Sequence, residues 1–346
     1  MEGSQLLHPN FANPYSGGIV MKLEESLNIS LKTVDREIEN MVKYDRDVPR
    51  SSQLAKNIVE LVHSGGKRVR PLMVIVGSRF GPDPDPKKVW RLAAAAEFIH
   101  AASLIHDDII DDSPMRRGQK AMHIKLGVSG ALHVGNYMSA RVIELISVYS
   151  AEREKFVYDL SSMATTKLCL GEYQQLSHLF DYDVTIPQYL EKSKNKTAQL
   201  MATCLQIGAK AAGADAETAE LLYAFGEKLG MSFQIRDDVL DFTQSAEKLG
   251  KPAGSDLRSG QVTLPVLYAL QDEALAPSIR AITADSPKGE VDAVVAAIQA
   301  SGALEQTEEL SRRYLSEAQD IIDRLNHYPA HRDLQALLNY FGGREK

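Results

Sequence analysis

The chain has 346 residues, 44% of them hydrophobic and a quarter charged, which is ordinary globular composition with ample material for a large core. A formal net charge of −7 argues against a nucleic-acid binder working through a basic surface. Two cysteines, Cys169 and Cys204, make neither a disulfide framework nor a metal-ligand cluster. Both lie in apolar, helix-like surroundings and read as core packing in a reducing compartment.

Residues 1–20, rich in Gly, Pro, Asn and Ser, lack the basic start and long apolar centre of a signal peptide. They read as a loose extension. No stretch approaches the roughly 20 apolar residues of a membrane span, so the cytoplasm is the expected location. From Met21 onward apolar residues recur at three and four, first in "LEESLNISLKTVDREIENMV", then in "SSQLAKNIVELVHSGGKRVRPLMVIVGSRF". "GPDPDP", Gly81 to Pro86, is a break. The run Val89 to Asp112 contains no Gly or Pro and is apolar almost all round, the pattern of a buried helix. Pro114 and Gly118 end it. Helical patterns resume over 130–150, 153–180, 187–212 and 216–243, pause at the Gly- and Lys-rich loop Ser245 to Gln261, and continue to the C-terminus. No strand alternation, phosphate loop, fixed repeat or domain linker appears. Residues 21–346 therefore read as one all-α domain, about ten core helices around a central cavity.

Two acidic stretches carry the chemistry. In "LIHDDIIDDSPMRRGQ", Asp107, Asp108 and Asp111 are spaced i, i+1, i+4. On a helix Asp107 and Asp111 project together, as do Asp108 and Asp112. Such stacked like charges repel. Mg²⁺, which binds one or two carboxylates plus substrate phosphates, would offset that; a solvated acidic helix end is the plainer alternative. The recurrence of the spacing in "SFQIRDDVLDFT", at Asp237, Asp238 and Asp241, favours the metal. Two such ladders facing one another would hold divalent ions that clamp a diphosphate and stabilise its departure. Cations suited to the other half of a diphosphate site occur at Lys67, Arg68 and Arg70, at Arg116 and Arg117, at Lys196 and at Lys251. Each cluster alone could be a solvated face; together they point to bound diphosphate.

In this order, "GGKRVRP", "HDDIIDDSPMRRG", "KTAQL", "GMSFQIRDDVLDF" and "LGKPAGSDLRSGQVTLPVLYAL" resemble the signature regions of trans-isoprenyl diphosphate synthases, the polyprenyl synthetase family. The resemblance runs from about Met21 to the end. Around "GKPAGSDL" and "TLPVLYAL" it is nearest to the large catalytic component of bacterial heptaprenyl diphosphate synthases. It implies the isoprenoid synthase fold and a set of roles. Asp107, Asp111 and Asp237 would ligate three Mg²⁺ ions on an allylic diphosphate, with Asp108, Asp238 and Asp241 ligating or supporting them. Arg116, Lys196 and Lys251 would hold the allylic diphosphate, and Lys67, Arg70, His100 and Arg117 would hold isopentenyl diphosphate. Thr197 and Gln234 would line the reacting prenyl chain. Gly171 and Glu172 match a Gly-Gln or Gly-Glu pair that faces the family's cavity. His100 lies two turns before Asp107 on the same helix and reads either as a core residue or as a ligand. His106 would brace the first ladder, and His123 has no assigned role.

The implied reaction is ionisation of the allylic diphosphate, head-to-tail attack by isopentenyl diphosphate, and loss of a proton to the departing diphosphate. Binding energy from the two diphosphates would offset the cost of a cation in a dry pocket. The family's length ruler lies on the helix before the first ladder. Small residues there, Ala102 and Ser103, leave a tunnel open past Phe98 and Ile99, so a product of about six to eight isoprene units is expected. Phe98 would form its floor or pack between helices. The product would serve as a quinone side chain, menaquinone in a bacterium. The enzyme would work as a homodimer or with a small regulatory component. A shorter-chain homodimeric synthase making geranylgeranyl diphosphate, a class I terpene cyclase and a non-catalytic subunit are the alternatives. The cations of the isopentenyl site oppose the cyclase, and retention of both ladders opposes the non-catalytic subunit. Two positions depart from the family pattern: Asn136 replaces a common Asp, readable as a swap at a helix cap, and Gln261 replaces a common Lys.

Overall fold

A computed structural model of the protein describes residues 22–147, 165–244 and 252–343; the proposed extension 1–20 and Lys251 lie outside the described residues. The elements in chain order are α1 (Leu23–Ser26), α2 (Leu31–Lys43), α3 (Gln53–His63), α4 (Val69–Ser78), α5 (Pro86–Ile110), strands β1 (Met115–Arg116) and β2 (Gln119–Lys120), α6 (Met122–Ser147) and α7 (Thr165–Ser177). Then come α8 (Ile186–Ser193), a π-turn (Lys194–Ala198), α9 (Gln199–Ala211), α10 (Ala216–Thr243), α11 (Ser255–Arg258), α12 (Leu264–Ala269), α13 (Ala276–Arg280), α14 (Lys288–Ala300), α15 (Ala303–Arg324) and α16 (His331–Gly342). The all-α architecture expected from the sequence is the one observed.

At the centre, α4 packs against α5 and α9, α9 against α10, and α10 against α15. Glycines set the closest approach. A Cβ on Gly77 of α4 would lie 2.1 Å from the Leu205 carbonyl oxygen of α9, and one on Gly208 of α9 would lie 2.0 Å from that of Val74 in α4. Only hydrogen at both positions lets these backbones touch. The alanine run Ala93 to Ala96 is buried in the main core with Phe98 and Ile99. Burial of both small and large residues explains why α5 shows no one-sided apolar stripe. Its N-terminus is fixed by Asp85, whose side chain accepts from the Lys87 and Lys88 amides at 2.9 and 3.4 Å, with Pro86 in the first helical position. A second core, around Tyr189, Phe242, Leu257, Val262 and Val295, seats the short helices after the second ladder.

Several local expectations need correction. The pattern from Ser51 to Phe80 is two helices, because Gly65 and Gly66 adopt φ of 98° and 130°. Helix α5 ends at Ile110, not Asp112; Asp111 caps it and Asp112 turns to φ 47°. Asp112 therefore cannot stack on Asp108. The 187–212 helix contains a π-turn. Asn136 lies exposed well inside α6, so it caps nothing. Cys204 is buried, but Cys169 is exposed on α7 rather than packed in the core. The strands form a two-residue hairpin in which Met115 pairs with Lys120 and Arg116 with Gln119. Arg117 and Gly118 have φ of 51° and 77°, as a type I′ turn requires.

Candidate active site

The first ladder closes α5. Asp107 is half-buried, and its Oδ1 is buried without a hydrogen-bond partner. Burial, then the neighbouring Glu172 and Asp111 carboxylates, push its pKa up to about 7 against the pull of Lys196 and Arg116. A carboxylate so desolvated and crowded by like charge fits a divalent cation, whose charge would reverse both effects. Asp111 is exposed one turn on. Asp108 points the other way. It is 3% exposed and accepts from Arg116 through Nε at 2.8 Å and through Nη2. The hairpin thus brings Arg116 onto the inner aspartate.

The second ladder ends α10. Asp237 is half-buried. Asp238 is 2% exposed and is held by the Tyr189 hydroxyl, by Gln234 Nε2 at 3.0 Å and by the Leu264 amide at 3.4 Å. Burial raises its pKa to about 6 in spite of Lys192 and the Tyr189 hydrogen bond. Asp241 is 3% exposed; it accepts from Ser255 Oγ at 2.7 Å and from the Asp256 amide at 3.1 Å. The Gly254 amide reaches its carbonyl at 2.8 Å. Asp241 is the knot that ties the start of α11 to the end of α10. Among the described residues, no three acidic, imidazole or thiol groups already converge tightly enough to hold an ion.

Helices α7 and α8 with the π-turn connect the two ladders. A Cβ on Gly171 would lie 2.5 Å from the Lys196 amide nitrogen, so glycine is what lets α7 lie on the turn. Lys196 donates to Glu172 Oε2 at 2.7 Å and to Gln175 Oε1 at 3.1 Å. Thr197, buried in the π-turn, donates to Gln234 Oε1 at 2.8 Å. Thr197, Gln234, Asp238 and Tyr189 form one chain of hydrogen bonds. A π-turn inside a helix frequently marks a functional site, and here it supplies both Lys196 and Thr197. Lys192, one turn earlier, was missed from the sequence. Its ammonium lies 4.9 Å from the Tyr189 ring centre. Burial lowers its pKa, against the attraction of Asp238 and Asp256 and with the repulsion of Lys196. Its spacing of four from Lys196 was the available signal.

The basic cluster gathers around α4 and α5. Arg68 is a structural pin, donating to Asp35 Oδ1 at 2.7 Å, Gly65 O at 3.0 Å, buried Glu97 Oε1 at 3.1 Å and Val62 O. Arg117 donates to Gly65 O, and a Cβ on Gly66 would meet its guanidinium at 2.8 Å. The Nε of Arg70 is buried without a partner. His100 is kept neutral, its pKa driven well below the usual imidazole value by burial and by Arg70, Arg117, Arg116 and Arg68. Four arginines thus surround one neutral histidine, and Arg68 holds the cluster in shape. Lys67 is exposed on the glycine loop, its ammonium 5.7 Å from the Tyr340 ring centre. His106 packs on α6, where a Cβ on Gly135 would lie 2.4 Å from its Nε2. His123 is buried at the start of α6, 3.5 Å from Asp112. Ala102 is buried, and Ser103, half-buried, donates to His100 O at 2.9 Å. Phe98, fully buried in the main core, sits in helix packing. Gln261 is half-buried, and its backbone N–H donates to Asp256 O at 2.8 Å.

An all-α bundle that ends two long helices in carboxylate ladders beside a basic cluster has the isoprenoid synthase fold and defines the class of the prenyl diphosphate synthases. Comparison with known proteins agrees. The polyprenyl synthetase family model matches residues 51–300. Heptaprenyl diphosphate synthase component 2 of Geobacillus stearothermophilus is 39% identical over 92% of this chain and 97% of its own. The crystal structure of heptaprenyl diphosphate synthase from Staphylococcus aureus superposes with a TM-score of 0.84 and 33% identity, over 94% of this chain and 99% of the other. A polyprenyl synthase from Caulobacter crescentus CB15, solved with calcium and isoprenyl diphosphate, gives 0.81 and 32%, over 96% and 100%. The chain belongs to the polyprenyl synthetase family. It is a prenyltransferase, a trans-prenyl diphosphate synthase.

Proposed function

We propose that the protein condenses isopentenyl diphosphate with an allylic diphosphate, farnesyl diphosphate, to give an all-trans polyprenyl diphosphate of six to eight units, chiefly heptaprenyl, for a quinone side chain such as that of menaquinone. The crowded Asp107, its buried Oδ1 without a hydrogen-bond partner, at the end of a small-residue helix carries the reading. Asp107, Asp111 and Asp237 would hold the Mg²⁺; the count of three follows from the family resemblance. Bound Mg²⁺ would supply charge neutralisation on the leaving diphosphate. Lys196 would release Glu172 to reach the allylic diphosphate, with Lys251 beside it. Arg116 would leave Asp108 for the same group. Lys67, Arg70, Arg117 and neutral His100 would hold isopentenyl diphosphate. Thr197 and Gln234 would face the developing cation with oxygen atoms.

Val128, Leu132 and Ile143, exposed along one face of α6, support association with a second subunit. The Geobacillus relative is named as one component of its enzyme, and we propose that this chain also works with a small component. No helix of the described residues is long and apolar enough to cross a membrane; a location in the cytoplasm fits that. The test is incubation of the purified chain, with and without the candidate small component, with farnesyl and isopentenyl diphosphates and Mg²⁺, followed by mass analysis of the dephosphorylated product. Linear hexa- to octaprenols are expected, shortened in Ser103→Phe. A cyclised hydrocarbon, or an unchanged length in the variant, contradicts the reading.

A further inference from the structure

We propose that Tyr189, near the start of α8, is a positioning residue for the condensation: through Asp238 it fixes which way round the Gln234 amide lies, and so turns oxygen lone pairs of Gln234 and Thr197 toward the reacting chain. The inference rests on the assignment of Thr197 and Gln234 to that chain. Asp238 is buried, and among the described residues its three hydrogen-bond partners all donate. Gln234 Nε2 reaches Oδ1 at 3.0 Å, while the Tyr189 hydroxyl and the Leu264 amide, at 3.4 Å, share Oδ2. A carboxylate set among donors only accepts, so the Gln234 amide must turn its NH₂ toward it. Its Oε1 is thereby left for Thr197, whose hydroxyl donates at 2.8 Å. A hydroxyl has one proton. Once that proton is given to Gln234, Thr197 Oγ1 shows only lone pairs elsewhere. With the amide reversed, Thr197 would accept from Nε2, and its own proton would be released to face a developing cation, which it would repel.

Gln234 and Asp238 lie one turn apart on α10, but their contact alone leaves the carboxylate plane able to turn about a broad terminal torsion. Its second oxygen needs an anchor. The Leu264 bond is long at 3.4 Å, so the Tyr189 hydroxyl is the main clamp. The phenol is itself held in place. Tyr189 is 1% exposed and belongs to the second core. Helix α8 begins in a capping box between Thr185 and Gln188, with Pro187 in its first turn. The Lys192 ammonium lies over the Tyr189 ring. Asp238 thus joins α8, α10 and α12, and Gln234 extends the chain to the π-turn that carries Thr197. The aspartate spacing gives no sign of this, because Tyr189 stands 49 residues from Asp238.

The test uses the full chain with Mg²⁺ and whatever second subunit it needs. Single-turnover consumption of labelled farnesyl diphosphate reads the chemical step, and steady-state KM for both diphosphates reads binding. The variants are Tyr189→Phe, which removes only the hydroxyl, Gln234→Met, and the two together. Tyr189→Phe is expected to slow the chemical step roughly 10-fold, the lower end of what one hydrogen bond to a charged group is worth, with both KM values within about twofold of wild type. Gln234→Met should slow it too, and Tyr189→Phe should add nothing once Gln234 is methionine. Four results overturn the proposal. An unchanged rate in Tyr189→Phe, while Gln234→Met is slow, removes the Tyr189 role and leaves the Gln234 assignment standing. An unchanged rate in Gln234→Met removes the assignment, and the proposal with it. An equal loss from Tyr189→Phe with or without Gln234 marks a merely structural residue. A raised KM in Tyr189→Phe with an unchanged chemical step means that the hydroxyl serves diphosphate binding instead. If Tyr189→Phe does not fold, 4-fluorophenylalanine at position 189, which fills the hydroxyl's volume without donating, must slow the chemical step, and 3-fluorotyrosine there, which donates, must not.

Discussion

The two aspartate ladders have the same spacing and opposite circumstances. In both, the second aspartate turns into the protein: Asp108 to Arg116, Asp238 to Tyr189 and Gln234. The first ladder is otherwise open, with a crowded Asp107 and an exposed Asp111 at a helix end. The second is tethered, because Asp241 is buried and fastens the start of α11. A repeated motif therefore does not mean repeated roles. Asp108 alone holds the fold in the first ladder, whereas Asp238 and Asp241 both do in the second, where the fifth position serves the chain's own backbone and not the solvent side.

Substitutions sharpen that contrast. The largest effect is expected from Asp107→Asn, which should lower kcat by roughly 10³-fold, the scale of losing a key group that stabilises charge in the transition state. The same change should stabilise the metal-free protein at pH 8. With a pKa raised from 3.8 to about 7, the native state binds more protons than the unfolded state across that interval. Stability therefore falls as pH rises through it. The variant should lack this decline and melt about 3 °C higher at pH 8, with no gain at pH 4; differential scanning calorimetry in EDTA reads it. An equal gain at both pH values would mean that Asp107 is not strained by its ionisation.

Gly171→Ala comes next. The added methyl meets the Lys196 backbone at 2.5 Å, so α7 or the π-turn must shift, at about 1–3 kcal/mol of stability. The allylic KM should rise as Lys196 moves, with the isopentenyl KM less affected. Asp241→Ala should cost about 1–3 kcal/mol by stranding the donors of Ser255 and Asp256. Hydrogen exchange should show faster amides at residues 254–256, whereas Asp111→Ala leaves them protected. Equal protection in both variants would erase the difference between the ladders. Asn136→Asp should be the mildest, within about 0.5 kcal/mol of wild type in stability. Asn136 is on the exposed face that carries Val128 and Leu132, so sedimentation should show weaker subunit association.

Much of this was legible in the chain. The period of three to four residues and the absence of strand alternation announced an all-α bundle, and the doubled i, i+1, i+4 spacing located both ladders. Spacing could not say which aspartate turns inward, because that depends on partners far away: Arg116 on a hairpin, Tyr189 on another helix, Ser255 beyond a loop. Nor could it show that Arg116, to which the family resemblance gives the allylic diphosphate, also pairs with Asp108. Asn136 was misjudged as a cap because the break in its helix lies at Gly127, which leaves Asn136 more than two turns inside. Cys169 was misjudged because an apolar neighbourhood in sequence need not be a buried face. The π-turn left no mark of its own, since the residues Lys194 to Ala198 are compatible with ordinary helix.

The central claim is that the outward aspartates bind metal and the inward ones do not. Anomalous diffraction from crystals grown with Mn²⁺ and an unreactive thio analogue of farnesyl diphosphate tests it most directly. Manganese peaks coordinated by Asp107, Asp111 and Asp237, with Asp108 and Asp238 still bonded to protein donors, are the expected result. Manganese coordinated by Asp108 or Asp238, with Asp107 unliganded, would contradict it.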